Sequence, residues 1–200
     1  LTAQKIAQLQ AKVAANPRDG QALRELAYFE AVSGSRDAAL ATYQRALTVS
    51  SDPELRYEYA DLLMSMERYD MALPEVEALI AARPTSLKYK NLYASITLFS
   101  GKVTNKTEQY LMEALQSETC NVDILANMSL LKVYQGKLDD ADQFARRAQT
   151  CVGSGFNGRL EQLDQLIAES KRTGSRGIGA ISAANVELER ARQLSREQKY

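Results

Sequence analysis

Two hundred residues suit one or two domains, and an apolar fraction of 45% is enough for a substantial core. Lysine plus arginine equals aspartate plus glutamate at 25 each. The chain therefore lacks the basic excess with which proteins grip phosphates, and no nucleic acid is expected as partner. It has no histidine, the commonest general acid–base and transition-metal ligand, and its two cysteines cannot alone build a structural zinc site. No catalytic residue, metal or cofactor is expected, and no apolar run approaches the roughly 18–20 residues that cross a bilayer.

In chain order, QKIAQLQAKVAANP (4–17) predicts a helix, which with the flanking residues forms an N-terminal element or partial repeat over 1–18. DGQALRELAYFEAVSG (19–34) carries Leu23, Leu26, Ala27 and Ala31 at helical spacing and stops at Gly34, a natural helix C-terminal residue. RDAALATYQRALTV (36–49) puts Ala39, Leu40, Tyr43, Ala46 and Leu47 on one face. The two form a helical hairpin over 19–52. A second hairpin fills 53–86, where Pro74 sits in the first turn of a helix, a place that tolerates its missing donor. A third fills 87–121 with an expanded turn, KVTNK, and a fourth fills 122–151.

The units repeat one another. Gly34 and Gly136 are 102 residues apart, as are Ala39 and Ala141, and Ala46 and Ala148, three times a period of 34. Helices packed in pairs need small residues where their backbones approach, and one hairpin cannot bury its apolar face alone. NGRLEQLDQLIAESKR (157–172) predicts a capping helix. TGSRGIGA (173–180) reads as a flexible linker, since no strand precedes its glycines. In 181–200, Ile181, Ala184, Leu188, Ala191 and Leu194 make one face of a tethered amphipathic helix. That face can cap its own stack, lie in its own groove, or enter a neighbour's groove and form a homodimer.

These residues carry a resemblance. A small residue in the first helix, glycine at the turn, then Ala, an aromatic and Ala resemble the tetratricopeptide repeat (TPR). The pattern is met by Ala27/Gly34/Ala39/Tyr43/Ala46, Ala60/Tyr69/Ala72/Pro84, Ala94/Gly101/Ala114 and Gly136/Ala141/Ala148. Ser129 and Glu67 stand where the pattern has Gly or Ala, and the family's tryptophan is absent. The resemblance implies an all-α, right-handed solenoid of stacked antiparallel hairpins. It also implies a concave face lined by the first helix of each unit, where Arg24, Tyr28, Tyr57, Asp61, Met64, Lys88, Asn91, Ser95, Phe99, Leu130, Val133 and Tyr134 would meet a protein or peptide. Leu130 and Val133 can equally pack against neighbouring helices. The family's clamp for chaperone tails is not matched, since Tyr28 stands in place of an Asn and Leu92 in place of a basic residue.

NMSLLKVYQGKLDDADQFARRA (127–148) is similar in style to the repeats of Tad/Flp pilus-assembly TPR lipoproteins. That likeness implies an envelope scaffold for pilus or secretion machinery and a lipid anchor upstream of Leu1. A cytosolic adaptor or co-chaperone for a peptide tail is the alternative. In stacked hairpins the ends of neighbouring second helices share an edge, so Cys120 and Cys151 can pair if their Cα atoms come within about 7 Å. A disulfide points to the periplasm or the outer membrane, and free thiols to the cytoplasm. DDAD (139–142) is explained by the helix dipole without a metal. Of two glycosylation sequons, Asn105 lies in the expanded turn and Asn127 in mid-helix, where it would be a poor acceptor.

Overall fold

The computed structural model describes residues 2–153, 155 and 157–174; the expected linker beyond Gly174 and the amphipathic helix at 181–200 lie outside the described residues. Among the described residues there are ten helices and no strand, and the fold is all-α. The chain divides into two compact units, Leu1–Pro84 and Thr85–Tyr200.

The first unit holds α1 (Thr2–Ala15), α2 (Gly20–Val32), α3 (Arg36–Val49), α4 (Pro53–Ser65) and α5 (Tyr69–Ala82). α2 pairs with α3 and α4 with α5, while α1 packs on α2 and α3 on α4. The second holds α6 (Leu87–Phe99), α7 (Asn105–Ser117), α8 (Val122–Tyr134), α9 (Leu138–Val152) and α10 (Gly158–Thr173). Here α6 pairs with α7 and α8 with α9; α10 packs on both α8 and α9, and α6 lies beside α8. The helix predicted over 157–172 is α10, shifted by one residue. Cys151 lies inside the last turn of α9.

Local chemistry sets the helix starts. The first helix of each hairpin follows a side chain that accepts a backbone N–H: Asp19 from Ala22 (2.9 Å), Asp52 from Glu54 (3.0 Å), Ser86 from Tyr89 (3.4 Å) and Asn121 from Asp123 (3.0 Å). Pro53 adds a fixed φ at the first helical position of α4. In the expanded turn, Thr104 and Thr107 cap α7 reciprocally. Thr107 is fully buried and its hydroxyl lies 2.9 Å from that of Thr97 in α6, so the hydroxyl of the Asn105 sequon is enclosed. Asn127, in the other sequon, is also fully buried.

Every alanine that set the period is in the core. Ala27, Ala39, Ala46, Ala60, Ala72, Ala94, Ala114, Ala141 and Ala148 have no exposed surface. The two departures have separate solutions. Ser129 is also fully buried, and its hydroxyl donates to the Ala141 carbonyl (2.7 Å), joining α8 to α9. Glu67 adopts φ 59° at the place where Gly34, Gly101 and Gly136 adopt 88°, 71° and 71° in the other hairpins. A side chain there costs about 1 kcal/mol in backbone strain. Glu67→Gly is therefore expected to stabilise the first unit by up to about 1 kcal/mol, read as a raised urea midpoint with unchanged slope.

Candidate functional site

The faces of the first helices in the two units differ in polarity and exposure. In the first unit, Arg24 of α2 reaches Glu58 of α4 with two nitrogens (Nε 3.0 Å, Nη2 2.6 Å) and Asp52 with the third (3.1 Å). Glu58, then Asp52, raise the arginine pKa against a smaller cost of desolvation. The forked geometry fixes α2 against α4 one repeat apart. Tyr43 of α3 lies behind this pair, its hydroxyl 3.5 Å from Glu58. Burial first, and the Glu58 charge second, push its phenol above the ordinary range, so it stays protonated and donates. Beside the pair, Tyr28 stacks edge-on against Phe29 (5.5 Å between centroids), and Tyr57 and Asp61 are half-buried. Met64 is buried.

In the second unit the corresponding face is closed by a polar chain across three helices. Arg159 of α10 donates to Asp123 (2.7 Å) and Asn127 (2.5 Å) of α8, and Asn127 donates to Asn91 (2.9 Å) and Ser95 (2.9 Å) of α6. Tyr134 of α8 donates to the Leu98 carbonyl of α6 (2.7 Å). Lys88 is exposed and Asn91 and Tyr134 half-buried, whereas Ser95, Phe99, Leu130 and Val133 are buried at 2%, 5%, 1% and 5% exposure. The expected residues thus split: Arg24, Tyr28, Tyr57, Asp61, Lys88, Asn91 and Tyr134 keep surface, and the other five do not. Asp52, Glu58, Asp123, Asn127 and Arg159 were missed, although partners 34 and 36 residues apart carry the repeat period.

Two buried lysines are neutralised from α7. Lys90 of α6 pairs with Glu113 and lies over the Tyr110 ring (5.5 Å); Lys132 of α8 pairs with Glu108 (2.8 Å). The Lys132 and Gln135 hydrogen bonds hold the Glu108 carboxyl below its usual range, and those of Lys90 and Gln109 do the same for Glu113. The acidic turn is internally matched, Asp139 to Lys171 (3.0 Å) and Asp142 to Arg146 (3.0 Å). Among the described residues no group of three or more acidic or cysteine side chains is placed to hold a metal, and no helix is long and apolar enough to cross a membrane.

Cys120 and Cys151, 31 positions apart in sequence, form a disulfide with Cα atoms 5.5 Å apart. It joins the chain after α7 to the end of α9, where Arg147 also donates to the Thr119 carbonyl (2.6 Å).

No family model matches the sequence, and no curated protein matches it significantly. Solved structures do. PilW, a widely conserved type IV pilus biogenesis factor, is 18% identical with TM-score 0.72, covering 99% of this chain and 90% of its own. PilF of Pseudomonas aeruginosa is 17% identical with TM-score 0.66 over 99% and 88%. YrrB, a TPR protein with an unusual peptide-binding site, is 12% identical with TM-score 0.67 over 86% and 84%. The chain has the tetratricopeptide-repeat fold. At these identities the likeness is one of fold.

Two outcomes follow from this geometry. Replacing both cysteines with serine is expected to lower unfolding free energy by about 3–4 kcal/mol, the chain-entropy value for a loop of this length, measured by denaturant titration with and without reductant. Glu108 and Glu113 have depressed folded pKa values, so their contribution is present above the ordinary carboxylate range and lost as pH falls through the folded values. Thermal midpoints should drop on acidification below about pH 4.5, and the drop should be shallower in Glu108→Gln.

Proposed function

We infer that this chain is a non-enzymatic scaffold that holds a protein or peptide partner on its first-helix surfaces, within the assembly of a bacterial envelope machine such as a pilus or secretion system. The observation that carries the reading is the face of α2 and α4. There Tyr28, Tyr57 and Asp61 stay half-exposed on helices whose other sides are packed. Tyrosine offers large contact area with little side-chain entropy to lose, which makes it a frequent binding hot spot. Arg24 is engaged by Glu58 and Asp52, so this surface lacks a free basic fork for a terminal carboxylate.

Two supports point to the envelope. The disulfide is a bond that persists in oxidising compartments. Two of the structural neighbours are named for type IV pilus biogenesis or for PilF. A periplasmic or outer-membrane-associated position, with a lipid anchor upstream of Leu1, belongs to the same reading. The absence of histidine from the chain favours a binding role over an acid–base catalyst.

The test combines location and contact in the native cells. A photo-crosslinking amino acid at position 57 should yield a discrete protein adduct that fractionates with the envelope, and Cys120 and Cys151 should resist alkylation until reduced. Tyr28→Ala or Asp61→Ala should cut that adduct several-fold without lowering the thermal midpoint. With the captured partner purified, Tyr57→Ala should weaken affinity by about tenfold or more, about 1.4 kcal/mol. Free thiols together with a cytosolic adduct would replace the envelope reading with the adaptor one. No adduct from positions 28, 57 and 61 would remove the surface itself.

A further inference from the structure

One interaction recurs in both units: a lysine ammonium held by an aromatic ring and a carboxylate of the same helix. In the first unit, Lys5 of α1 lies over the Phe29 ring (5.9 Å) and beside Glu25 (3.6 Å), both of α2. In the second, Lys90 of α6 lies over the Tyr110 ring (5.5 Å) and pairs with Glu113, both of α7. Ring and carboxylate are four residues apart in α2 and three in α7, so each pair shares a helix face. The ring attracts the cation and the carboxylate neutralises it. α4 presents the same pairing on a half-buried stripe, with Tyr57 three residues after Glu54 and four before Asp61.

The charge around Tyr57 complements a cation. On the α2/α4 face, Asp52, Glu54, Glu58 and Asp61 stand against one guanidinium, that of Arg24. Glu54, after Glu58 and Asp52, also raises the Arg24 pKa; Asp61, after burial and Glu58, raises that of Tyr43, so the four carboxylates make one field. Residues 1–84 carry twelve acidic and nine basic side chains, although the whole chain is neutral. Such a face repels an acidic segment and draws a basic one. We propose that it docks a lysine-bearing segment of a partner protein, with one ammonium over the Tyr57 ring and paired by Glu54 or Asp61. Tyr28 supplies further contact area on the same face. The proposal rests on the reading of this face as a docking surface and specifies the chemistry of what docks.

Fluorescein-labelled helical peptides of leucine, alanine and lysine, and of leucine, alanine and glutamate, can be titrated with the full chain and followed by anisotropy. The lysine peptide should bind and the glutamate peptide should not. Binding should weaken on raising salt to about 1 M, where the Debye length is about 3 Å. Glu54→Gln with Asp61→Asn should weaken it several-fold at unchanged far-UV helical signal. Glu67→Gln with Glu77→Gln, an equal change of charge placed in the α4–α5 turn and on α5, should not. Tyr57→Leu should weaken it about two- to fivefold, the worth of an exposed cation–ring contact, and Tyr57→Phe should leave it unchanged. Equal binding of the two peptides, binding of neither, or equal weakening by the two charge variants would each overturn the lysine assignment. In those cases the docking surface still stands if position 57 crosslinks a partner in cells, and falls if no adduct forms. A mass of two chains that Tyr57→Glu returns to one would give the face to a second copy and also overturn the proposal.

Discussion

The structure depends on one steric constraint, the close approach of two helix backbones at fully buried alanines. Ala27 with Ala39 and Ala60 with Ala72 recur as fully buried small residues in the paired helices, and Ala94, Ala114, Ala141 and Ala148 are as deeply buried in the second unit. Once that approach is set, the large side chains around it, such as Leu23, Leu63 and Leu111, are buried completely. Helices of 13 to 16 residues are marginal alone, so this burial, rather than intrinsic propensity, makes them stable. The short turns follow from it too: a hairpin this tight needs a positive φ, and where glycine is absent, Glu67 takes the strain.

Polar residues then decide what each unit does with its first-helix face. The first unit joins α2 to α4 by charge, through Arg24, Glu58 and Asp52, all with partly exposed side chains. Such a link is screened by water and leaves the surrounding surface wet, so Tyr28 and Tyr57 keep area for contact. The second unit uses buried links. Asn127 and Ser95 are fully or nearly dry, Arg159 is 8% exposed, and each is matched by a partner on a neighbouring helix. Buried hydrogen bonds hold the first helices of the second unit together more firmly than the water-screened ion pairs of the first unit do.

What was legible in the sequence follows the same division. The period, the hairpins, the small core residues and the cysteine pairing are properties of the repeat, and a repeat can be read by subtraction of residue numbers. Leu130, Val133, Met64, Ser95 and Phe99 show what could not be read. They occupy positions that the repeat assigns to an open face, but burial depends on neighbours that a single helix does not encode. Arg24 looked like a ligand-facing cation, and only packing brings Glu58 and Asp52 to it. The Asn91–Asn127 and Asp123–Arg159 pairs did leave a trace, a 36-residue spacing of complementary polar residues, which is weaker than the alanine pattern because each occurs once.

The same packing bears on which ligands the face could accept. A clamp for a terminal carboxylate needs basic groups held free on the first helices. Here the two basic residues of α6 and α8 nearest the core, Lys90 and Lys132, are each neutralised by a glutamate of α7, and Arg24 is neutralised by Glu58. To receive an anion, any of them would have to break a hydrogen-bonded ion pair, part-buried in each case, without gaining charge in return. Leu92, at 4% exposure, could not be replaced by a lysine without burying its stem and displacing the core around it. The proposed scaffold reading therefore puts recognition on tyrosine surface and hydrogen bonding, chemistry suited to the side of a helix or an extended segment rather than to a chain end.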